Sequence, residues 1–195
     1  MDKDVDFLFE MGSIRFIDRM WRRFLGTDFA NLAEHHFRVF WIATLIASHE
    51  KNVNMEKVMK MVMMHDISES RAGDVDYLAR QYVQRNEELG IKDMLAGTAI
   101  EKEYLDLWQE YEDRKTLEAK IAKDADNLDV DFELAEQLST GRVIHKQWVE
   151  NRTFVSKNRL FTDTAKAMFK QIQAADPHRW HTEGRNRRTM GDWKK

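Results

Sequence analysis

The sequence predicts an all-α protein, a bundle of roughly six to eight helices, and three observations carry that expectation. Helix breakers are rare: the 195 residues include one proline, Pro177, and 8 glycines, and these are the residue types that interrupt helices. Apolar residues recur three and four apart through most of the chain, which is the period of one helical face. No stretch of useful length alternates apolar and polar residues as a half-buried strand does.

The elements follow in order. Residues 5–25 place Phe7, Leu8, Met11, Ile14, Ile17, Trp21 and Phe24 at helical spacing, so a first helix is expected there, with Gly26-Thr27-Asp28 as the turn after it. A second helix is expected over 31–49, with Leu32, Val39, Ile42, Ala43, Ile46 and Ala47 on one face. Asn54 reads as the N-cap of a short buried helix, MEKVMKMVMMHD, whose methionines suit irregular gaps in a core. SESRAGD is small and polar and is expected to be a loop. Further helical patterns cover 75–89, 93–111, 114–139 and 144–175. Past Pro177 the periodicity fades, and PHRWHTEGRNRRTMGDWKK carries six Lys/Arg against two acids. The expected organisation is a domain over 1–176 and a basic, solvated, disordered tail over 177–195.

Composition narrows the function classes. A hydrophobic share of 43% and a charged share of 33% suit an ordinary globular domain, and this length can bury a full core. A net charge of −3 supplies no field that recruits nucleic acid or an anionic membrane. The basic tail is the one segment that could touch nucleic acid, and a solvated end is its more common role. With no cysteine, disulfides, thiolate ligands and cysteine nucleophiles are excluded together. The acidic N-terminus lacks a signal-like apolar run. The most apolar stretch, FRVFWIATLIA, has 11 residues and includes Arg38, whereas a membrane span needs about 20. A cytoplasmic protein with no membrane association is the expectation.

Against that plain background, MVMMHDISES carries two ionisable groups, His65 and Asp66, straight out of an apolar run. A buried carboxylate without a partner costs several kcal/mol or neutralises itself, so a compensating cation is expected. His35 and His36 both touch the apolar stripe of the second helix, and periodicity does not separate them. AKIAKDADNLDVDFELA puts four aspartates on another helix, where periodicity favours Asp124 at least as much as Asp126. Imidazole nitrogens and carboxylates are the donors of mixed N/O metal spheres.

NLAEHHFRV, MMHDISESRAGD and AKIAKDADNLD resemble, in order and at plausible spacing, the successive motifs of the HD-domain phosphohydrolase superfamily. Within it they most resemble the short 5′-deoxynucleotidase branch, and the likeness covers about residues 13–140. The resemblance implies an HD-domain bundle around one divalent metal ion held by His35, His65, Asp66 and Asp126. Mn, Co, Fe or Zn suits two imidazoles better than Mg does. It implies catalytic roles for Glu69 and Asp74, with Asp74 orienting the attacking water and Glu69 taking part in proton transfer. Arg19 matches a phosphate-contacting arginine of the nucleotidase branch, and Arg71 and Lys123 are weaker substrate-binding candidates. In well-known members a tryptophan follows that arginine and helps reject the ribose 2′-hydroxyl. Here Met20 follows it and Trp21 comes next, so the pair Met20 and Trp21 is assigned to substrate binding. A homodimer is also implied.

The leading expectation is therefore a phosphohydrolase converting nucleoside 5′-monophosphates, chiefly deoxyribonucleotides, to nucleoside and inorganic phosphate. Two alternatives stand beside it. One is a deoxynucleoside triphosphate triphosphohydrolase, which would need more cations than Arg19, Arg71 and Lys123. The other is a silent nucleotide-sensing or nucleic-acid-binding protein, against which the presence of both Glu69 and Asp74 argues.

Overall fold

Helix starts are set by side chains that accept a backbone N–H. Asn31 accepts from the Glu34 amide and Glu34 answers to the Asn31 amide, a complete capping box. Asn54, Asn86, Thr116 and Thr162 each accept from the amide three residues on. The computed structural model describes residues 1–26, 28–144 and 146–184. Its helices are α1 (Asp2–Ser13), α2 (Arg22–Leu25), α3 (Leu32–His49), α4 (Met55–Met64), α5 (Glu69–Ala72), α6 (Glu87–Leu95), α7 (Glu101–Asp113), α8 (Leu117–Ser139), α9 (Lys146–Asn158), α10 (Asp163–Ala174) and α11 (Arg179–Thr182). Among the described residues there is no strand, only an isolated antiparallel bridge between Asp18 and Asn31. None of these helices is long and apolar enough to cross a membrane.

The 23-residue α8 is the axis of the bundle, and α3, α4, α7 and α10 pack against it. Ile121, Ala122, Ala125 and Leu128 of α8 meet Val39, Ile42 and Ile46 of α3, Val58, Met61 and Val62 of α4, and Tyr111 of α7 in one core. Each large aliphatic side chain buried there stabilises the fold by about 1.5–3 kcal/mol. Trp108 is a core residue, and Trp148 packs on Trp21 and Phe24.

The helices expected at 31–49, after Asn54 and over 114–139 are present with small end shifts. Elsewhere tertiary bonds override the periodicity. The helix expected over 5–25 ends at Ser13, passes through a 3-10 turn and becomes extended at Ile17. There the Ile17 carbonyl accepts from the Leu32 amide at 2.9 Å. No helix spans 75–89: Asp76 accepts from the amides of Leu78 and Ala79 and ties the chain into a tight turn. The pattern over 93–111 breaks around Gly97, whose φ is +77° and whose amide donates to Glu101. The expected 144–175 helix is two, because the Asp124 carboxylate accepts from the amides of Phe161 and Thr162. Within the expected loop SESRAGD, residues 69–72 form the single turn α5, and part of the expected tail forms α11. The tail's RNRR segment and Thr27 of the expected turn lie outside the described residues.

Candidate active site

Three core helices converge on one cluster. His35 comes from α3, His65 and Asp66 from the turn that ends α4, and Asp126 from α8; one ligand atom of each lies within 4.8 Å of all the others. The two imidazole Nε2 atoms face each other at 3.1 Å. Asp66 Oδ2 is 3.6 and 3.3 Å from the two Nε2 atoms, and Asp126 Oδ1 is 3.3 Å from that of His35. The other ring nitrogens are already engaged: His65 Nδ1 donates to the Val62 carbonyl at 2.7 Å, and His35 Nδ1 to Asp129 at 2.6 Å. Both Nε2 atoms therefore aim lone pairs at one point beside two carboxylates, which is repulsive unless a cation or a proton lies between them. Two nitrogen and two oxygen donors with outer hydrogen bonds fit a divalent transition ion.

Electrostatics agree with that picture. Burial pushes Asp66 up, yet His65 and His35 hold it well below the usual carboxylate range. Burial likewise opposes ionisation of Asp126, and Lys123 and His35 outweigh it. Burial and Arg19 press His35 down, but Asp129 and Asp126 carry it well above the usual histidine value. His36 differs: burial first, then His65, push it well below that value, and neither of its ring nitrogens has a partner. The geometry thus separates the two neighbouring histidines, and it separates the aspartates. Asp124, favoured by periodicity, is not part of the cluster and instead braces Thr162, the N-cap of α10, accepting from its amide and hydroxyl and from the Phe161 amide.

A cavity of about 340 Å³ opens beside the cluster, with Asp66 and Asp126 on its wall. Arg19 is buried in that wall and reaches Asp66 and Asp74, both at 3.3 Å. Asp74 also accepts from the Met20 amide at 3.2 Å. Lys123 Nζ donates to Asp126 at 2.6 Å. Glu69 Oε1 accepts from Arg85 at 2.9 Å, while Oε2 is buried without a partner. Burial, then the charges of Asp66 and Asp74, push the Glu69 carboxyl up to about 9. It is consequently protonated at neutral pH, although a cation on Asp66 would offset part of the push. Trp21 and Tyr77 also line the cavity, meeting edge to face at 5.5 Å, and Trp148 packs behind Trp21 at 4.8 Å.

Of the residues expected from sequence, His35, His65, Asp66 and Asp126 form the cluster, and Arg19, Met20, Trp21, Glu69, Asp74 and Lys123 line the cavity. Arg71 is not among the lining residues. It forms a two-pronged pair with Glu10 of α1, at 2.7 and 2.8 Å, outside the cavity. Sequence reasoning missed Arg85, because 75–89 was expected to be a helix, and it missed Asp129. Asp129 stands three after Asp126 on α8, so helical spacing could have suggested it as the group orienting a metal-binding histidine.

Arg114 was missed as well. It occupies the C-cap of α7 at φ +54°, the left-handed region, where glycine is the usual residue. Its Cζ lies 3.4 Å from the Tyr111 ring centroid, and Nη2 is 3.3 Å from Glu112. Nη1 is buried with no acceptor, and so is the Tyr111 hydroxyl. The backbone conformation costs about 1 kcal/mol or more, and a buried unpaired donor costs about 1–3 kcal/mol.

Comparison with known proteins gives the family. A model of the HD domain matches residues 11–168. The 5′-deoxynucleotidase HDDC2 of Dictyostelium discoideum is 37% identical over 92 residues, covering 44% of this chain and 48% of that one. The 5′-deoxynucleotidase HDDC2 of Danio rerio is 28% identical over 138 residues, 67% of each chain. The match thus spans about half the length of the Dictyostelium protein. A conserved hypothetical protein from Pyrococcus furiosus superposes with a TM-score of 0.70 at 25% identity, over 88% of this chain and 99% of that one.

Proposed function

Since the chain belongs to the HD-domain family, we propose that its cavity hydrolyses nucleoside 5′-monophosphates, deoxyribonucleotides above all, to nucleoside and inorganic phosphate. The observation that carries this reading is the meeting of the four-ligand cluster with Arg19, Glu69 and Asp74 in one cavity. His35, His65, Asp66 and Asp126 would hold a divalent ion, which would supply Lewis acidity to the cavity. Mn, Fe, Co or Zn is the expected ion.

The remaining work falls to the chain's own groups. Arg19, held charged by Asp74 and Asp66 although burial opposes it, donates to the phosphoryl oxygens. Its planar fork suits two oxygens at once. Asp74, fixed by the Met20 amide and Arg19, orients the attacking water and takes its proton. As the P–O5′ bond breaks, Glu69 hands its proton to the departing O5′, and Arg85 keeps the carboxyl in place. Lys123, kept charged by Asp126, adds positive charge beside the cluster. Trp21 supplies an aromatic wall one residue after the position where well-known relatives carry theirs, which supports a sugar-reading role for Met20 and Trp21.

The names of the Dictyostelium and Danio relatives, rather than charge, favour a monophosphate over a triphosphate. Arg19, Arg85, Lys123 and Arg152 each line the cavity already paired with carboxylates. Arg80, which donates to the Val75 carbonyl, and Arg114 line the cavity too, so the supply of cations does not separate the two phosphate classes. A homodimer and a cytoplasmic location belong with this reading. Phe37, Trp41 and Leu45 form an exposed stripe on α3 that a second copy would cover, and the mass in solution tests the dimer.

The functional test is phosphate release from dNMPs, NMPs and dNTPs with Mn, Co, Zn, Mg or EDTA, beside Asp66→Ala. Metal-dependent release from monophosphates, lost in the variant, is expected. Tripolyphosphate from dNTPs with silence on monophosphates would move the activity to the triphosphohydrolases.

A further inference from the structure

The proposed chemistry leaves Arg114 without a task, although it lines the same cavity. Its backbone is held where glycine is favoured, so an arginine at this position needs a reason other than ending α7. Its guanidinium lies against the Tyr111 ring, which fixes the side chain without neutralising it. Glu112, at 3.3 Å, is the one carboxylate it touches. No other arginine among the described residues buries a nitrogen that lacks a partner. The Tyr111 hydroxyl, on the same wall, lacks one too.

We propose that Arg114 is a specificity-determining residue whose guanidinium, braced by the Tyr111 ring, donates to an acceptor atom on the nucleobase. This rests on the nucleotidase reading and extends it from the phosphate to the base, one aromatic ring beyond His65. A cavity of about 340 Å³ falls within the range of small-molecule sites, about 300–1,000 Å³, rather than being sized for a phosphate alone. Arg19 and Lys123 are the cations bonded to Asp66 and Asp126, whereas Arg114 bonds to neither of them. Guanidinium offers donors only, so it suits O6 and N7 of guanine or O4 of thymine and uracil. At the position where guanine and thymine present a keto oxygen, adenine and cytosine present amino donors, and adenine keeps only N7 as an acceptor on that edge. Keto bases are therefore the favoured class.

Arg114→Gly removes the side chain and gives the left-handed position to the residue that fits it best, so folding is not at risk. The test compares kcat/KM of the metal-loaded full chain for dGMP, dTMP, dAMP and dCMP with that for 2-deoxyribose 5-phosphate, which has no base. The wild type is expected to prefer dGMP and dTMP. In the variant the ratio of kcat/KM for these nucleotides to that for the base-free ester should fall about 10–100-fold, with Tm unchanged or higher. An equal loss on the base-free ester would put Arg114 at the phosphate and overturn the inference. An unchanged ratio would make Arg114 a packing residue, and a wild type that prefers dAMP and dCMP would also overturn it. A wild type that cleaves none of these esters would remove the nucleotidase reading and this inference together. Cleavage of every ester at one rate would remove the inference alone.

Discussion

Glu69 holds Arg85 with one oxygen and nothing with the other, and this asymmetry makes it sensitive to pH. Its carboxyl is raised to about 9 in the fold and returns to about 4.3 on unfolding. The folded state therefore binds the extra proton between those values, so its contribution is complete below the lower value and is lost as pH rises through the higher one. In chelated protein, wild type should lose stability relative to Glu69→Gln between pH 5 and 8, by on the order of a few kcal/mol. Denaturant titration at the two pH values checks this; parallel losses would mean that Glu69 is not protonated in the fold. With metal and substrate, the same variant should lose most of kcat, since an amide has no proton to give. At this scale the motifs named four residues that the fold brings together, His35, His65, Asp66 and Asp126. Periodicity alone could not choose between His35 and His36, because α3 buries both. What separates them is the direction of the ring nitrogens and the partner Asp129, an arrangement that only the packed helices create.

The long helices could be read because burial imposes their apolar period. Their interruptions could not, because each depends on a bond from a distant part of the chain. Asp124 shows both sides: it sits on the buried stripe of α8, as its spacing indicates, yet its carboxylate serves the start of α10. Three donors converge on it, the amides of Phe161 and Thr162 and the Thr162 hydroxyl. Removing a buried acceptor leaves such donors unpaired. Asp124→Ala should therefore destabilise the protein by about 1–3 kcal/mol while metal affinity changes little. Chemical denaturation paired with metal calorimetry separates the two effects. A drop in affinity with stability intact would return Asp124 to the metal site. The turn over 76–82 was misread for a similar reason: local spacing in that segment is helical, but the Asp76 carboxylate claims the amides that would have begun the helix.

For the molecule as a whole, the fold class followed from the scarcity of breakers, while the closeness of the four ligands came only with assembly. The three regions that supply them are far apart in sequence, and the packing of α3 and α4 on α8 brings them together. An ion bound at this crossing stabilises the native state alone. At a free concentration 100 times its Kd it adds about 2.7 kcal/mol, or about 5–10 °C in Tm for a chain of this size. Thermal melts with Mn, Co or Zn against EDTA should show that rise, and it should vanish in Asp126→Asn. Equal melts in every buffer would mean that the cluster binds no ion.

The bond between Ile17 and Leu32 has a wider meaning for how such a protein can change. It closes a short excursion that carries Arg19, Met20 and Trp21 into the cavity, whereas every ligand of the cluster lies beyond it, on or beside the core helices. Under the proposed reading, the groups that would hold the ion and several that would meet the substrate are thus written in separate stretches of chain, joined by the contact of Arg19 with Asp66. Under that reading, substitutions at Met20 and Trp21 would redirect substrate preference without touching a residue of the cluster, which gives descendants of this chain a short route to new specificities.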